Sequence, residues 1–185
     1  MEANKVMRLF LLALLAAGFL SAPGTALAAD PESHGPATDR YVLSLRADFS
    51  QIHSEFEDFF AIGGSLGLHI PFGSLPIGVE VMASLAGDDS HLIATNDLSL
   101  RYYLPASGGG PDRSLQPFVK AGPTLSVALW DGQDTGVTVG GVVGLGLHAW
   151  FSDLFGLTFE FTYRIKGGDE LRQTMILSVG MALGP

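Results

Sequence analysis

Nine ionisable side chains in this 185-residue chain share one pattern: Arg46, Asp48, His69, Glu80, Arg101, Lys120, His148, Glu160 and Arg164 each interrupt a segment that alternates apolar and small residues. Within those segments they keep the parity of Ser44, Ser65, Gly67, Gly78, Ser99, Gly122, Gly144, Gly146 and Thr162. Side chains alternate across an extended strand, so all nine belong to one face. Glu80, Arg101, Lys120, His148 and Glu160 lie a few residues from turns at one end of their strands, with His69 near the same rim, which predicts one polar layer. Arg46, Asp48 and Arg164 are expected further towards the other end. Such a layer can act as a gated charge plug or a proton-linked passage. It can equally be a set of ion pairs that satisfy one another and fill space. Buried charges need partners whatever the function, which favours the second reading.

Other constellations carry less. His53-Ser54-Glu55 has the residue types of a nucleophilic triad. Neighbouring residues on a strand or turn diverge, however, and a triad needs convergent side chains, so no catalytic residue is assigned. There is no cysteine, hence no thiol chemistry, no disulfide framework and no lipoprotein attachment site. No cofactor-binding or metal-ligand pattern is present, and neither a cofactor nor a metal is expected. The formal net charge is −9, and removing Glu2, Lys5 and Arg8 with the leader described below makes the chain one unit more acidic. Nucleic acid is therefore not an expected partner.

The strands that must position these groups are read from the alternation itself. In 136–165 the residues Val137, Val139, Gly141, Val143, Leu145, Leu147, Ala149 and Phe151 take one face, and Thr138, Gly140, Val142, Gly144, Gly146, His148 and Trp150 the other. After a turn at 152–156, Leu157, Phe159, Phe161, Tyr163 and Ile165 alternate with Thr158, Glu160, Thr162 and Arg164, which makes a hairpin. The same pattern predicts strands at 41–49, 59–70, 77–86, 97–104, 115–130 and 172–183. Pro123, inside the fifth strand, cannot donate to a ladder and predicts a bulge. Eight segments near the roughly 9–11 residues that a tilted strand needs to cross a bilayer predict an up-and-down meander.

Composition agrees with that solvent. Hydrophobic residues make up 47% and charged ones only 16%, yet beyond residue 30 no continuous apolar run is long enough for a membrane helix. Residues 1–28 read as a cleaved signal peptide. Lys5 and Arg8 precede the apolar run Leu9–Leu20, and Ala26-Leu27-Ala28 supplies the cleavage site. Residues 29–40 read as a flexible periplasmic lead-in, and 41–185 as one barrel. With the start of the barrel in the periplasm, the links at 50–58, 88–96, 131–136 and 166–171 face outward.

Residue size separates a membrane barrel from a soluble cup of lipocalin type. One face is bulky and uncharged; the other combines tiny residues with a few long charged ones. The interior of a small barrel is narrow and suits the second face. One Arg or Lys on the lipid side near the midplane would cost roughly 2–4 kcal/mol, and none of the strand charges falls there. Aromatics form two bands, Tyr102, Trp150, Phe151 and Phe155 at one end and Phe49, Phe56, Phe59, Phe60, Trp130 and Tyr163 at the other, as interface girdles do.

On this eight-strand alternation and the leader, the chain resembles the small eight-stranded outer-membrane barrels, the OmpA-transmembrane-domain and OmpX-like superfamily. The fold expected is all-β: an eight-stranded antiparallel up-and-down transmembrane β-barrel preceded by a cleaved signal peptide. It departs from such barrels in finishing on Met181-Ala182-Leu183-Gly184-Pro185 rather than on an aromatic. The resemblance implies a structural or envelope-interaction role in the cell outer membrane, with the lumen filled by ion pairs. Its partners would be outer-membrane lipid and lipopolysaccharide, the barrel assembly machinery would serve insertion, and the protein would be a monomer rather than an enzyme. A narrow channel for small solutes is the alternative, and a lipid A-modifying enzyme the third reading. The outward links hold Glu55, Glu57, Asp58, Asp88, Asp89, Asp131, Asp134, Asp169 and Glu170 against Lys166. This rim could meet lipopolysaccharide phosphates through divalent cations, though a plain solvated crown suffices.

Overall fold

The computed structural model describes residues 41–53, 58–73, 75–88, 91–104, 115–130, 136–152, 154–167 and 172–184. The expected signal peptide (1–28) and lead-in (29–40) lie outside the described residues. Alternating apolar and small or polar residues form eight strands: β1 (Val42–His53), β2 (Asp58–Pro71), β3 (Ile77–Gly87), β4 (His91–Tyr103), β5 (Leu115–Trp130), β6 (Gly136–Trp150), β7 (Phe155–Gly167) and β8 (Arg172–Leu183). Each pairs antiparallel with the next, and β8 returns to pair with β1 from Leu43↔Leu183 to His53↔Gln173, closing the barrel. Closure leaves no sheet edge, so the ladder satisfies its own backbone groups where lipid offers no partner.

The two parities meet different surroundings. Leu45, Ile62, Leu98, Leu100, Val143, Leu145 and Leu177 point outward and are all more than half exposed. Ser44, Ser65, Ser84, Thr95, Ser126, Thr162 and Ser178 point inward and are buried with the strand charges. A soluble protein would bury the first set; here it is the hydrocarbon-facing coat of a transmembrane barrel. The inward glycines set the bore. A methyl group on Gly146 would lie 2.4 Å from Cζ of Phe118, and one on Gly78 would lie 2.3 Å from Cε1 of His69. Absent side chains at these two positions are what admit two inward rings.

Three local expectations are corrected. β1 continues to His53 and β4 starts at His91 rather than at 97. In both extensions polar residues sit on the outward parity (Gln51, His53, Asn96), which hides the alternation although the ladder persists. Pro123 makes no bulge. The β4–β5 register is the same at Asp97↔Thr124 and Leu100↔Ala121, and only Leu98 and Ser99 go unpaired with β5. The missing proline N–H thus costs a short gap in one ladder, with no extra residue inserted.

At one end Phe72 N–H donates to the Ile77 carbonyl (3.0 Å) and Phe151 N–H to that of Phe155 (3.0 Å), closing short turns. Ser152 Oγ accepts from the amides of Leu154 (3.3 Å) and Phe155 (3.1 Å). Gly184 N–H reaches the Leu154 carbonyl at 3.1 Å, so the last strand is tied to this same end. Up-and-down membrane barrels keep their short turns in the periplasm, and the opposite end is the outer one.

Candidate functional site: a charged layer across the lumen

Five strands contribute one residue each to a single layer: Arg46 from β1, Glu80 from β3, Arg101 from β4, Lys120 from β5 and Glu160 from β7. Arg46 Nη2 lies 2.5 Å from Glu80 Oε1, and its Nη1 lies 2.6 Å from Glu160 Oε2. Lys120 Nζ bridges Glu80 Oε2 (3.1 Å) and Glu160 Oε1 (2.6 Å). Arg101 Nη2 pairs with Glu80 Oε1 and sits 3.6 Å from Glu160 Oε2. Every cation therefore touches both carboxylates. All five side chains are 0–1% exposed, so water contributes little to their solvation.

The remaining lone pairs and protons are largely taken up locally. Thr162 Oγ1 donates to Glu160 Oε1 at 2.7 Å, and Arg46 Nη2 donates to Ser44 Oγ at 2.8 Å. Met82 sulfur accepts from Arg46 Nη1 at 3.3 Å. Three cations face two carboxylates, and short charge-assisted contacts of this kind are what make a buried charged group tolerable.

An aromatic floor underlies the layer on the periplasmic side. The Arg101 guanidinium lies over the Phe118 ring, 4.0 Å from its centroid, and its Nη1 is 2.8 Å from His148 Nε2. Arg101 can only donate, so His148 accepts through Nε2 and carries its proton on Nδ1. Phe118 stacks on His148 at 4.8 Å, and His69 meets Tyr103 edge-on at 5.1 Å. Among the described residues neither ring nitrogen of His69 has a hydrogen-bond partner. His69 and His148 thus belong to the floor rather than to the ion pairs.

A second group lies towards the outer end. Arg164 donates from Nη2 (2.6 Å) and Nε (3.1 Å) to Asp97 Oδ2, and Thr124 Oγ1 donates to Asp97 Oδ1 at 2.6 Å. Asp48 accepts from Ser65 Oγ at 3.1 Å and has no ion pair among the described residues. Arg46, expected up here, reaches instead into the main layer. Asp97 was not among the nine residues singled out from the sequence, because it fell at the expected edge of its strand; its inward parity with Ser99 and Arg101 was the available signal.

Outermost, the inward face turns apolar on the β1–β4 wall, where Ile52, Phe59, Ala61 and Ile93 form one buried cluster with Ala86 packed against it, while Lys166 and Thr174 are buried on the β7–β8 wall. Phe59, expected in the outer girdle, faces this cluster instead, while Phe49 and Phe60 do face outward. At the other end Tyr102, Phe151 and Phe155 face outward, whereas Trp150 has inward parity and donates from Nε1 to Gln116 Oε1 at 3.2 Å. Tyr163 donates its hydroxyl proton to Gln173 Oε1 at 2.8 Å. Phe56, Ser54 and the acidic residues Glu55, Glu57, Asp89, Asp131, Asp134, Asp169 and Glu170 lie outside the described residues, as does the side chain of Trp130. Of the acidic rim, Asp58 forms an exposed ion pair with His53 Nδ1. Among the described residues no group of three or more His, Asp or Glu is placed to hold a metal ion.

A layer of paired charges inside a lipid-coated antiparallel barrel narrows the comparison with known proteins. The family profile described as "Outer membrane protein beta-barrel domain" matches residues 12–182. The chain belongs to this family. Among solved structures it is similar to neisserial surface protein A, with a TM-score of 0.65 at 13% identity, over 77% of this chain and 96% of that one. It is also similar to Ail, the attachment invasion locus protein of Yersinia pestis, with a TM-score of 0.52 at 13% identity, over 78% and 99% of the two chains. At these identities the likeness is one of fold. No curated protein sequence matches the chain. Family membership makes this an outer-membrane β-barrel, and the outward aliphatic coat is the physical reason it belongs there.

Proposed function

We propose that the protein is a sealed structural barrel of the outer membrane, exported through residues 1–28, that presents its outer loops to the envelope surface and passes no solute through its lumen. The observation that carries this is the five-residue charged layer, in which each of three cations contacts both carboxylates from five different strands. Opening a pore would separate several of these pairs at once. Removing one partner of a buried pair typically costs about 3–5 kcal/mol. The aromatic floor and the outer apolar cluster narrow the bore below and above. Inward side chains at all three levels support a scaffold over a conduit. Monomeric barrels that work through their rims need nothing more from the lumen than a rigid fill.

The reading is tested by solute flux. Proteoliposomes holding the refolded mature chain are expected to swell in arabinose no faster than protein-free liposomes. Swelling that scales with protein content would replace the scaffold with the narrow channel. Hydrolysis or transfer of acyl chains on added lipid A would favour the enzyme reading.

A further inference from the structure

The outer ends of the hairpins differ on the face that looks away from the lumen. In β5–β6 the last outward pairs are Val127↔Val137 and Leu125↔Val139, and in β3–β4 they are Gly87↔Leu92 and Leu85↔Ala94. In β1–β2 they are His53↔Asp58 and Gln51↔Phe60. The polar row continues sideways. Gln173 on β8 is the other partner of His53, and its Oε1 accepts the Tyr163 hydroxyl proton from β7 at 2.8 Å. Among the described residues of β3–β6, Asn96 alone places a side-chain amide on the outward face.

The inward face of the same β1–β2 end is apolar. Ile52 and Phe59 are direct partners and are buried with Ala61 and Ile93, while His53 and Asp58 outside are each more than half exposed. Lower in β1 the order is reversed: Leu45 and Phe49 point outward, Arg46 and Asp48 inward. A strand with apolar side chains inside and polar ones outside suits water, and the opposite order suits hydrocarbon. The sign changes between Phe49 and Gln51, so the hydrocarbon boundary crosses this wall there, with the exposed rings of Phe49 and Phe60 beside it. On the β5–β6 wall Val137 and Val139, 64% and 63% exposed, carry the apolar coat to the last outward positions.

We propose that the outer end of β7, β8, β1 and β2 is a lateral contact surface for the sugar headgroups of neighbouring lipopolysaccharide, with Gln51, His53, Asp58, Gln173 and Tyr163 as its hydrogen-bonding ledge. The Asp58 carboxylate only accepts, and the amide nitrogens of Gln51 and Gln173 only donate, a mixture that matches hydroxyl groups able to do both. Among the described strand residues no Lys or Arg takes the outward parity, which favours sugar hydroxyls over phosphates as the group bound. The ledge is continuous with the aliphatic and aromatic coat below it. A lipid whose acyl chains lie against Leu45, Phe49 and Phe60 therefore brings its sugars to this height. The proposal deepens the scaffold reading and rests on it for the direction in which the barrel faces.

The test uses nitroxide labels placed one at a time by Gln51→Cys, Gln173→Cys, Val137→Cys and Val139→Cys in the refolded mature chain, which has no cysteine of its own. In phosphatidylcholine vesicles the labels at 51 and 173 are expected to collide more with a water-soluble nickel chelate than with oxygen, and those at 137 and 139 to do the reverse. In vesicles of rough lipopolysaccharide the labels at 51 and 173 are expected to lose mobility and to become several-fold less accessible to the chelate. Lipopolysaccharide retained by the folded chain after detergent washing is expected to fall several-fold in His53→Leu combined with Asp58→Leu, and to be unchanged in Val137→Leu. Folding of each variant is checked by its heat-modifiable electrophoretic mobility. Oxygen-dominated collisions at 51 and 173 would put the ledge in hydrocarbon, and retention unaffected by the double substitution would leave it without a sugar contact; either result overturns the proposal. Both leaflets of these vesicles present the same lipid, so neither readout depends on insertion direction, and solute swelling, which tests the sealed barrel, is read independently.

Discussion

Glu80 accepts from three cations at once: Arg46 and Arg101 on Oε1 and Lys120 on Oε2. Replacing it with glutamine keeps the volume but leaves Arg46, Arg101 and Lys120 with Glu160 alone. Because the layer is dry, the excess charge has no solvent to relieve it. Glu80→Gln is therefore expected to lower the stability of the micelle-refolded barrel by about 3–5 kcal/mol in urea unfolding. A loss within experimental error would mean that the layer is hydrated. The Asp97–Arg164 pair offers a cleaner number, since its two members touch none of the five. A double-mutant cycle to alanine should return a coupling of about 0.5–3 kcal/mol, and additivity of the two changes would deny the pair. At this scale the sequence exposed the charged residues but not their pairing. Parity put Arg46 on the right face, yet only the length of its side chain and the strand tilt carry it to Glu80 and Glu160. His69 and Phe118 share that parity, and only the vacancies beside them, Gly78 and Gly146, reveal that the bore admits rings.

The strands themselves hold the barrel to its solvent through one rule, that among the described residues the outward charge pair, His53 with Asp58, stays at the outer strand ends, away from the middle of the wall. Val143 lies at the middle of β6, outward and more than half exposed. Val143→Arg is expected to cost about 2–4 kcal/mol, the penalty for a guanidinium near the midplane. The equilibrium unfolding midpoint in lipid vesicles reads this directly, and an unchanged midpoint would place Val143 outside the hydrocarbon. Most of this level was legible in the residues, because a period of two over eight segments has few other physical causes. The ends were less legible. β1 and β4 run past their expected limits where Gln51, His53 and Asn96 occupy outward positions, and a pattern based on hydropathy stops at the first polar residue although backbone pairing does not. Phe59 was misplaced for the converse reason. An aromatic near a strand end suits a girdle or an inner cap equally well, and only its partners Ile52 and Ile93 decide for the cap.

At the scale of the whole molecule, closure from β1 to β8 and the three lumen layers act together. The ladder makes the wall, the lipid-facing aliphatics keep it in the membrane, and the charged layer ties five strands across the bore. In the proposed function this layer is what seals the lumen. Single-channel recording of the refolded mature chain in a planar bilayer, beside Glu80→Ala and Arg101→Ala, tests it most directly. A silent wild type is expected, with discrete conductance in the variants, which delete the carboxylate shared by three cations and the guanidinium that joins the layer to the aromatic floor. Steady conductance through the wild type, unchanged in both variants, would contradict it.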